Sequence, residues 1–339
     1  MQKKEYSSLG SLWQRGREFL GVDYAILGGA MTWVSEPQLV SSISNAGGFG
    51  VIACGGMPAE LLSKSIDETR EKTDKPFGVN LITLHPDFEN LVDLCCEKKV
   101  EHVVLAGGLP SAQSIQKLKE AGLKVICFAP ALSLAKKLYR QGVDALILEG
   151  MEAGGHIGPV SVNVLAQEIL PEMSEKLPIF IAGGIGRGEV IVNFLKMGAA
   201  GCQLGTRFVC AKECTAHDNF KKAFIRGHAR DAMPSVQLDS RFPVIPVRAL
   251  KNKASEDFMK LQHETVRKFD EGLVNLKEAQ MVIEHFWGGA LKKAVVEGDI
   301  ENGSLMAGQS VGLVKEIQTV EEIIDELVAQ AKAYLDKKN

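Results

Sequence analysis

The 339-residue sequence has no long hydrophobic run and no excess of one charge. A membrane-spanning helix needs about 20 consecutive, mostly apolar residues, and no stretch approaches that length. The formal net charge is −3, and no block of Lys and Arg is interleaved with aromatic residues. Because nucleic-acid binding depends on clustered positive charge, we expect neither a nucleic acid nor a membrane as a partner.

Features of secreted and metal-binding proteins are also missing. The first 20 residues carry charges but no apolar segment followed by a small-residue cleavage site, so they do not form a secretory signal. Seven cysteines are scattered without metal-ligand spacing, mostly inside apolar runs, as small core residues would be. We therefore predict no metal site and a reducing, cytoplasmic location.

The middle of the chain instead alternates short apolar runs with longer helical patterns, which is typical of βα units on a parallel sheet. Eight parallel strands close into a barrel that uses about 250 residues. The sequence therefore predicts an α/β fold, a single (β/α)₈ TIM barrel. The predicted strands are residues 24–27, 49–53, 77–81, 102–105, 123–128, 145–148, 179–182 and 201–204.

Helical patterns fill the gaps between these strands. Predicted helices cover residues 36–45, 59–71, 111–121, 133–140, 189–197 and, as the last helix of the barrel, 320–337. Residues 211–290 differ, because a proline-punctuated segment at 233–247 precedes polar helical periods. We expect residues 1–210 and 291–339 to form the barrel, and 211–290 to form a helical insertion or lid over its mouth.

Doubled glycines follow five of the predicted strands. Turns that follow the strands lie at the C-terminal face of a barrel, where active sites of this fold sit. Glycine lets backbone N–H groups approach a ligand closely, and an anion suits such groups at a helix N-terminus. The alternative is that glycine only marks each turn, but five pairs on one face favour a site for a large, phosphate-bearing ligand. The pairs are Gly28-Gly29, Gly55-Gly56, Gly107-Gly108, Gly154-Gly155 and Gly183-Gly184, with Gly205 after the eighth strand.

His156 ends the run Glu-Ala-Gly-Gly-His that leaves the sixth strand. A histidine over the barrel mouth is able to donate or accept a proton near neutral pH. The alternative is a loop histidine that only caps backbone groups. The flanking glycines favour the catalytic role, and His85 and His217 rank below His156 as groups bordering the site.

In combination, several segments resemble the nitronate monooxygenase (formerly 2-nitropropane dioxygenase) family, which includes the FMN-dependent enoyl-[acyl carrier protein] reductases of type II. The resemblance extends from about residue 24 to 314, and its most specific parts are the histidine segment and the Gly-Thr-Arg-Phe segment. The landmarks are Gly29-Ala30-Met31, Asn45-Ala46-Gly47-Gly48-Phe49-Gly50, Gly78-Val79-Asn80, the run 149–158, Ala182-Gly183-Gly184-Ile185, Gln203-Leu204-Gly205-Thr206-Arg207-Phe208 and the run 303–309.

This resemblance implies a barrel that binds FMN non-covalently across its C-terminal face, with His156 as the catalytic histidine. Glu149 stands where many monooxygenases have glutamine, at a position that contacts the flavin ring. The remaining implied cofactor contacts are Asn80 and Gln203 beside the flavin, Gly154 and Gly155 packed against it, Gly183, Gly184, Gly205 and Thr206 at the phosphate, and Gly29, Ala30, Met31, Ala182 and Gln309 around these.

Two activities stay open. Met151 with Ile157, and the run 303–309, are similar to the enoyl reductases, whereas residues 159–171 and 235–247 are similar to nitronate monooxygenases. The second set favours a monooxygenase that oxidises alkyl nitronates with O₂ to a carbonyl compound and nitrite. The alternative is an NAD(P)H-dependent reductase of enoyl thioesters. A third hypothesis, a non-catalytic binder of a phosphate ligand, fits poorly with His156. A homodimer is left open.

Overall fold

The computed structural model of the chain describes residues 8–242 and 245–337, and its centre is a barrel of eight parallel strands. The sheet order is β1-β9-β8-β6-β5-β4-β3-β2. A parallel bridge between Leu27 and Phe49 joins β1 to β2 and closes the barrel. The predicted (β/α)₈ fold is therefore confirmed. The barrel strands are β1 Ile26–Gly28, β2 Gly50–Ala53, β3 Phe77–Ile82, β4 His102–Ala106, β5 Lys124–Phe128, β6 Ala145–Glu149, β8 Ile179–Ala182 and β9 Gly201–Leu204.

Helices surround these strands in chain order. The helix α14 packs against both α9 and α3, so it completes the ring between the last and the first βα unit. The helices of the ring are α3 Pro37–Asn45, α4 Ala59–Lys72, α5 Phe88–Glu97, α6 Ala112–Glu120, α7 Leu132–Arg140, α8 Val162–Met173, α9 Gly188–Lys196 and α14 Val320–Asp336. The others are α1 Leu9–Leu12, α2 Gln14–Leu20, α10 Thr206–Val209, α11 Asp218–Arg226, α12 Lys253–Asp270 and α13 Leu276–Val295, with short 3₁₀ turns at Ala229–Asp231 and Gln309–Leu313.

The first barrel strand begins later than the sequence predicts, at Ile26. The N–H of Tyr24 donates to Gly47 and the N–H of Ile26 donates to Tyr24 itself, so the chain turns tightly before the strand. The apolar run in the sequence is therefore longer than the strand, because Ala25 in the turn is also buried. None of the helices in the described part of the chain is long and apolar enough to cross a membrane.

The N-terminal end of the barrel is closed by α2. The carbonyl of Phe19 accepts hydrogen bonds from Nε2 of His102 (3.1 Å) and from Nζ of Lys124 (2.5 Å). His102 lies edge-on between Phe19 and Phe49, and burial lowers the pKa of His102 to about 4. A neutral, packed histidine at this end has a structural role, so the opposite end of the barrel is the open one.

Beyond the barrel, three short strands form a second sheet over the C-terminal face. These are β7 Gly155–His156, β10 Ala232–Pro234 and β11 Val247–Leu250, in the order β10-β11-β7, and both pairings are antiparallel. A separate apolar cluster beside them is built mainly by α12 and α13 and consists of Phe242, Val247, Phe258, Ala279, Ile283 and Trp287. Val247 belongs to both, so the helical pair is joined to the sheet that carries His156.

Close packing between α9 and α14 depends on Gly188. A Cβ placed on Gly188 would lie 2.1 Å from the carbonyl oxygen of Leu327. We predict that Gly188→Ala forces the two helices apart and lowers the free energy of unfolding by about 1–3 kcal/mol. Gly289→Ala in α13 is the matched control, because a Cβ there has open space, and a helical Gly→Ala change normally gains roughly 0.5–1 kcal/mol. Denaturant unfolding measures both, and equal stability of the two variants would contradict the prediction.

Candidate active site

His156 is held over the barrel mouth by backbone pairing with a distant segment. In the antiparallel ladder between β7 and β11, Val247 lies opposite His156 and Arg248 lies opposite Gly155. The N–H of Ile157 donates to the carbonyl of Pro246 (2.9 Å), which extends the pairing by one residue. The imidazole is on the exposed side of this sheet. Its position is therefore fixed by the main chain, and its side chain is accessible to a substrate.

The loop that carries His156 packs directly against the segment at 303–309. A Cβ on Gly154 would lie 2.5 Å from the N of Gly308, so only glycine permits this contact. The N–H of Gly308 donates to Oγ1 of Thr206 (3.0 Å), and the N–H of Gln309 donates to the carbonyl of Glu152 (2.9 Å). The histidine loop, the turn after β9 and the 303–309 segment therefore meet at one place.

Beside that place is a turn suited to an anion. Gly183 and Gly184, directly after β8, have φ values of 93° and 71°, which favour glycine. Within residues 8–242 and 245–337, no acceptor takes the N–H groups of Gly183, Gly184 or Gly205. Loops after the seventh and eighth strands of this fold frequently hold phosphate, and β8 and β9 are those strands. The N–H of Gly188, at the start of α9, instead donates to Oε1 of Gln330 (2.9 Å). The turn, called the anion turn below, therefore has N–H groups suited to an anion, whereas the N–H of Gly188 at the helix end is already bonded.

A second group of predicted residues lines the adjoining wall. The N–H of Gly29 donates to Leu204, and a Cβ on Gly29 would lie 3.6 Å from Nε2 of Gln203. A Cβ on Gly205 would lie 3.3 Å from Sδ of Met31. Ala30 lies between Gly29 and Met31 on a loop that Ser35 stabilises through hydrogen bonds to both residues. These residues are therefore brought together.

Asn80 lies apart from both groups, on β3. Its amide nitrogen donates to the carbonyl of Val104 (3.0 Å), which leaves the amide oxygen for a further partner. By contrast, Glu149, Ala182 and Gln203 form one row across three neighbouring strands, since Glu149 is paired with Ala182 and Ala182 with Gln203. The row lies at the C-terminal strand ends, between the anion turn and the barrel interior.

Glu149 has an unusual electrostatic environment. Burial raises the pKa of its carboxyl to about 8, because desolvation disfavours the charged form. The group is therefore mostly protonated at neutral pH. A protonated carboxyl has one O–H donor and one carbonyl acceptor, so it offers the same donor-and-acceptor pair as a glutamine amide. The replacement of glutamine by Glu149 is chemically conservative in this setting.

Two histidines that the sequence ranks lower have local structural roles. Nδ1 of His85 accepts from the N–H of Asp87 (3.0 Å), and Nδ1 of His217 accepts from the N–H of Asn219 (3.1 Å) at the start of α11. Arg207, in the Gly-Thr-Arg-Phe segment, turns its buried guanidinium toward Gln318 and Glu326 on the outer ring. It therefore does not reach the anion turn.

Sequence reasoning missed Glu152 and Arg248. The carboxylate of Glu152 accepts from the N–H of Val162 (3.0 Å) at the start of α8, and Arg248 is buried at 2% exposure in β11. An arginine inside the apolar run Val-Arg-Ala-Leu is the signal that was available, because a buried cation needs dedicated partners. Among the described residues, no group of three or more His, Cys, Asp or Glu side chains is placed to hold a metal ion.

Comparison with known proteins places these features in context. A family model described as nitronate monooxygenase matches residues 14–91 and 87–330. A relative from Rhodococcus jostii, named (3aS,4S,5R,7aS)-5-hydroxy-7a-methyl-1-oxo-octahydro-1H-indene-4-carboxyl-CoA dehydrogenase, is 32% identical over 94% of this chain and 96% of its own. A nitronate monooxygenase from Paraburkholderia phytofirmans is 28% identical over 93% of each chain. The solved structure of FabK from Thermotoga maritima is 37% identical, with a TM-score of 0.84 over 96% of this chain and 97% of that one.

The raised pKa of Glu149 generates a prediction about stability. Between about pH 4.5, where the unfolded carboxyl ionises, and about pH 8, the folded state holds one more proton than the unfolded state. The free energy of unfolding that this group contributes therefore falls as pH rises through that window. We expect Glu149→Gln to gain stability relative to wild type between pH 5 and pH 9, by several degrees in Tm as an order of magnitude. Glu168→Gln on the exposed face of α8 is the control, and a Tm difference that is the same at both pH values would contradict the assignment.

Proposed function

The chain is an oxidoreductase that belongs to the nitronate monooxygenase family, and from that premise we propose that it binds FMN and reduces enoyl thioesters with NAD(P)H. The turn at Gly183 and Gly184 supports FMN, because its positive φ values and unused N–H groups suit a single phosphate. A Cβ on Gly184 would lie 3.1 Å from Cβ of Glu152, so a side chain there would crowd the turn.

One observation carries the choice of substrate: segments that border the mouth expose large apolar side chains, which we call the apolar rim. Such side chains, where they cluster, normally mark a binding surface. Leu84 and Leu109 follow β3 and β4 and are 75% and 48% exposed. Met233, Val236 and Ile245, in or beside the strands β10 and β11, are 54%, 58% and 48% exposed. An acyl chain would cover such a rim, whereas a small nitronate anion would not.

The relatives support the same substrate class. The relative at 32% identity is named for a carboxyl-CoA substrate, which is a thioester, and the neighbour at 37% identity is FabK, while the family resemblance includes enoyl-[acyl carrier protein] reductases of type II. The nitronate monooxygenase is less similar, at 28%. The sequence patterns alone favour nitronate oxidation, and the rim together with these identities moves our proposal to thioester reduction.

FMN, when bound, would supply the redox chemistry, by accepting hydride from NAD(P)H and passing it to the β-carbon of the enoyl chain. The protein's own groups supply orientation and protons. In this proposal His156 would hold the thioester carbonyl or assist protonation of the α-carbon. Glu149, whose pKa is raised by burial to about 8, would donate a hydrogen bond at the inner end of the site. The pairs Gly154-Gly155 and Gly183-Gly184 let the cofactor approach the backbone.

Nitronate oxidation is the second candidate function. It is favoured by the family model, which covers residues 14–91 and 87–330 under the description nitronate monooxygenase. In that reaction a nitronate would be oxidised with O₂ to a carbonyl compound and nitrite, and His156 would orient the nitro oxygens. The same FMN site would serve both reactions.

Residues 211–290 have the connections expected of a lid. The strands β10 and β11 lie in this segment, and β11 pairs with Gly155 and His156 at the mouth. Phe242 and Val247 join the apolar cluster of α12 and α13. We propose that β10, β11, α12 and α13 of this segment cover the barrel mouth and control access to the cofactor.

The assignment is tested by steady-state assays on the FMN-loaded enzyme. One assay follows NAD(P)H oxidation with crotonyl thioester without oxygen, and the other follows oxygen uptake and nitrite release with an alkyl nitronate. We expect thioester-dependent turnover well above the rate without thioester. Nitronate-dependent nitrite release with no thioester turnover would favour the second candidate instead.

His156→Ala should keep bound FMN, because the proposed cofactor contacts come from residues other than the His156 side chain. Turnover should fall roughly 10²–10⁴-fold, which is the usual contribution of a positioned acid or base. The exposed His263 on α12 provides the control, since His263→Ala removes an imidazole with no proposed role in the reaction. A His156→Ala enzyme as active as wild type on every substrate would contradict the role of His156.

Gly184→Val should abolish FMN retention while the protein remains folded, because the side chain blocks the turn and strains a positive φ. Gly122→Val is the matched control. Gly122 has a φ of 81° and open space on the opposite face of the barrel, so it carries the same backbone strain without touching the site. Flavin fluorescence after gel filtration measures retention, and unchanged FMN affinity in Gly184→Val would show that the phosphate lies elsewhere.

A further inference from the structure

Arg248 is the largest fully buried side chain in the described part of the protein, and it lies next to the catalytic loop. It occupies the middle of the three-stranded sheet, paired with Pro234 of β10 on one side and with Gly155 of β7 on the other. Its guanidinium extends along the sheet to two carbonyl groups. Nε donates to the carbonyl of Met151 (2.9 Å), and Nη1 donates to the carbonyl of Ala232.

These two bonds connect the start of the histidine loop to the three-stranded sheet that carries His156. Met151 lies near the start of the histidine loop, just after β6, and its own N–H donates to the carbonyl of Val160 on the far side of that loop (2.8 Å). Ala232 begins β10. One side chain therefore ties the entry of the loop to the sheet that pairs with its exit.

Main-chain pairing with β11 holds the histidine loop at Gly155 and His156, and Arg248 adds a side-chain contact at Met151, near the start of the loop. The loop contains Gly154 and Gly155, and Gly155 has a φ of 77°, so the backbone itself is permissive there. The buried charge of Arg248 also interacts electrostatically with Glu152. Burial lowers the pKa of Arg248, and attraction to Glu152 partly offsets that effect. A lysine would keep the charge but presents a single ammonium, which lacks the planar fork that spans two separate acceptors.

We propose that Arg248 is a positioning residue for His156: its guanidinium holds the Met151 and Ala232 carbonyls at a fixed separation and thereby sets the imidazole over the site. This inference rests on the proposed function only in that His156 acts on the substrate. A small displacement of a reacting group is costly, since an error of about 1 Å reduces turnover on the order of 10²-fold. Loss of Arg248 is therefore expected to lower kcat through His156.

A general effect on stability has to be separated from this role. Lys221 provides the comparison, because it is also a buried cation that holds two carbonyls. Lys221 lies on α11, and its ammonium donates to the carbonyls of Ala211 (2.8 Å) and Cys214 (2.5 Å), both before α11 and outside the histidine loop. Lys221→Met therefore removes a similar buried clamp without touching Met151 or Ala232.

The test uses Arg248→Lys, Arg248→Met and Lys221→Met in the FMN-loaded enzyme, alone and with His156→Ala. Steady-state kinetics give kcat and KM, thermal unfolding gives Tm, and hydrogen exchange measures amide protection in residues 149–158. The exchange measurement is repeated on flavin-free protein. Arg248→Lys is the main variant, because it keeps the buried charge beside Glu152, and its exchange data are informative even if Arg248→Met does not fold.

We expect both Arg248 variants to lose about 10- to 100-fold in kcat and to lose amide protection in residues 149–158, with and without FMN. In the His156→Ala background they should cause no further loss of kcat, because the two residues act on one step. Lys221→Met should lower Tm but leave kcat and the protection of residues 149–158 unchanged. The inference is overturned if Arg248→Lys keeps wild-type kcat and protection, or if it lowers kcat equally in the His156→Ala background. If His156→Ala itself has wild-type activity, the role assigned to His156 is wrong and the inference about Arg248 is overturned with it, whereas the assays with thioester and nitronate test the proposed function separately.

Discussion

The active end of this barrel depends on two backbone pairings, Gly155 with Arg248 and His156 with Val247. A glycine-rich loop at the end of a strand has many accessible conformations, and ordering it costs conformational entropy. The pairing with β11 offsets that cost and brings the segment around residue 250 to the mouth. Since β11 also pairs with β10 and bridges to Met306, one strand organises the histidine loop, the proposed lid and the 303–309 segment.

The barrel itself could be predicted from the sequence, because its strands are buried on both faces and appear as short apolar runs at regular intervals. The site could be predicted only in part. Glycines after strands mark the C-terminal face by topology, and Gly29, Gln203 and Gly205 do come together. Which N–H groups are left for a ligand could not be predicted, because that depends on distant partners. The side chain of Gln330 accepts a hydrogen bond from the N–H of Gly188 at the start of α9, and no local sequence pattern predicts this contact.

Arg248 shows the same limit of prediction from sequence. A single charge inside an apolar run indicates a buried cation, but its partners lie on two other segments, at Met151 and Ala232. Register between segments far apart in sequence is set by tertiary packing rather than by local periodicity. Glu149 differs again, since its identity suggests a charged carboxylate, and only burial at the strand end makes it a neutral hydrogen-bond donor.

The cofactor is the premise on which the proposed chemistry rests, and it is open to direct measurement. The visible spectrum of the purified protein, followed by mass spectrometry of the chromophore released on denaturation, identifies what the anion turn holds. The account predicts a yellow protein that releases FMN in about equimolar amount, since the turn at Gly183 and Gly184 suits one phosphate and the chain lacks a dinucleotide-binding fingerprint. A colourless protein that cannot be reconstituted with FMN, or one that releases a different chromophore, would contradict it.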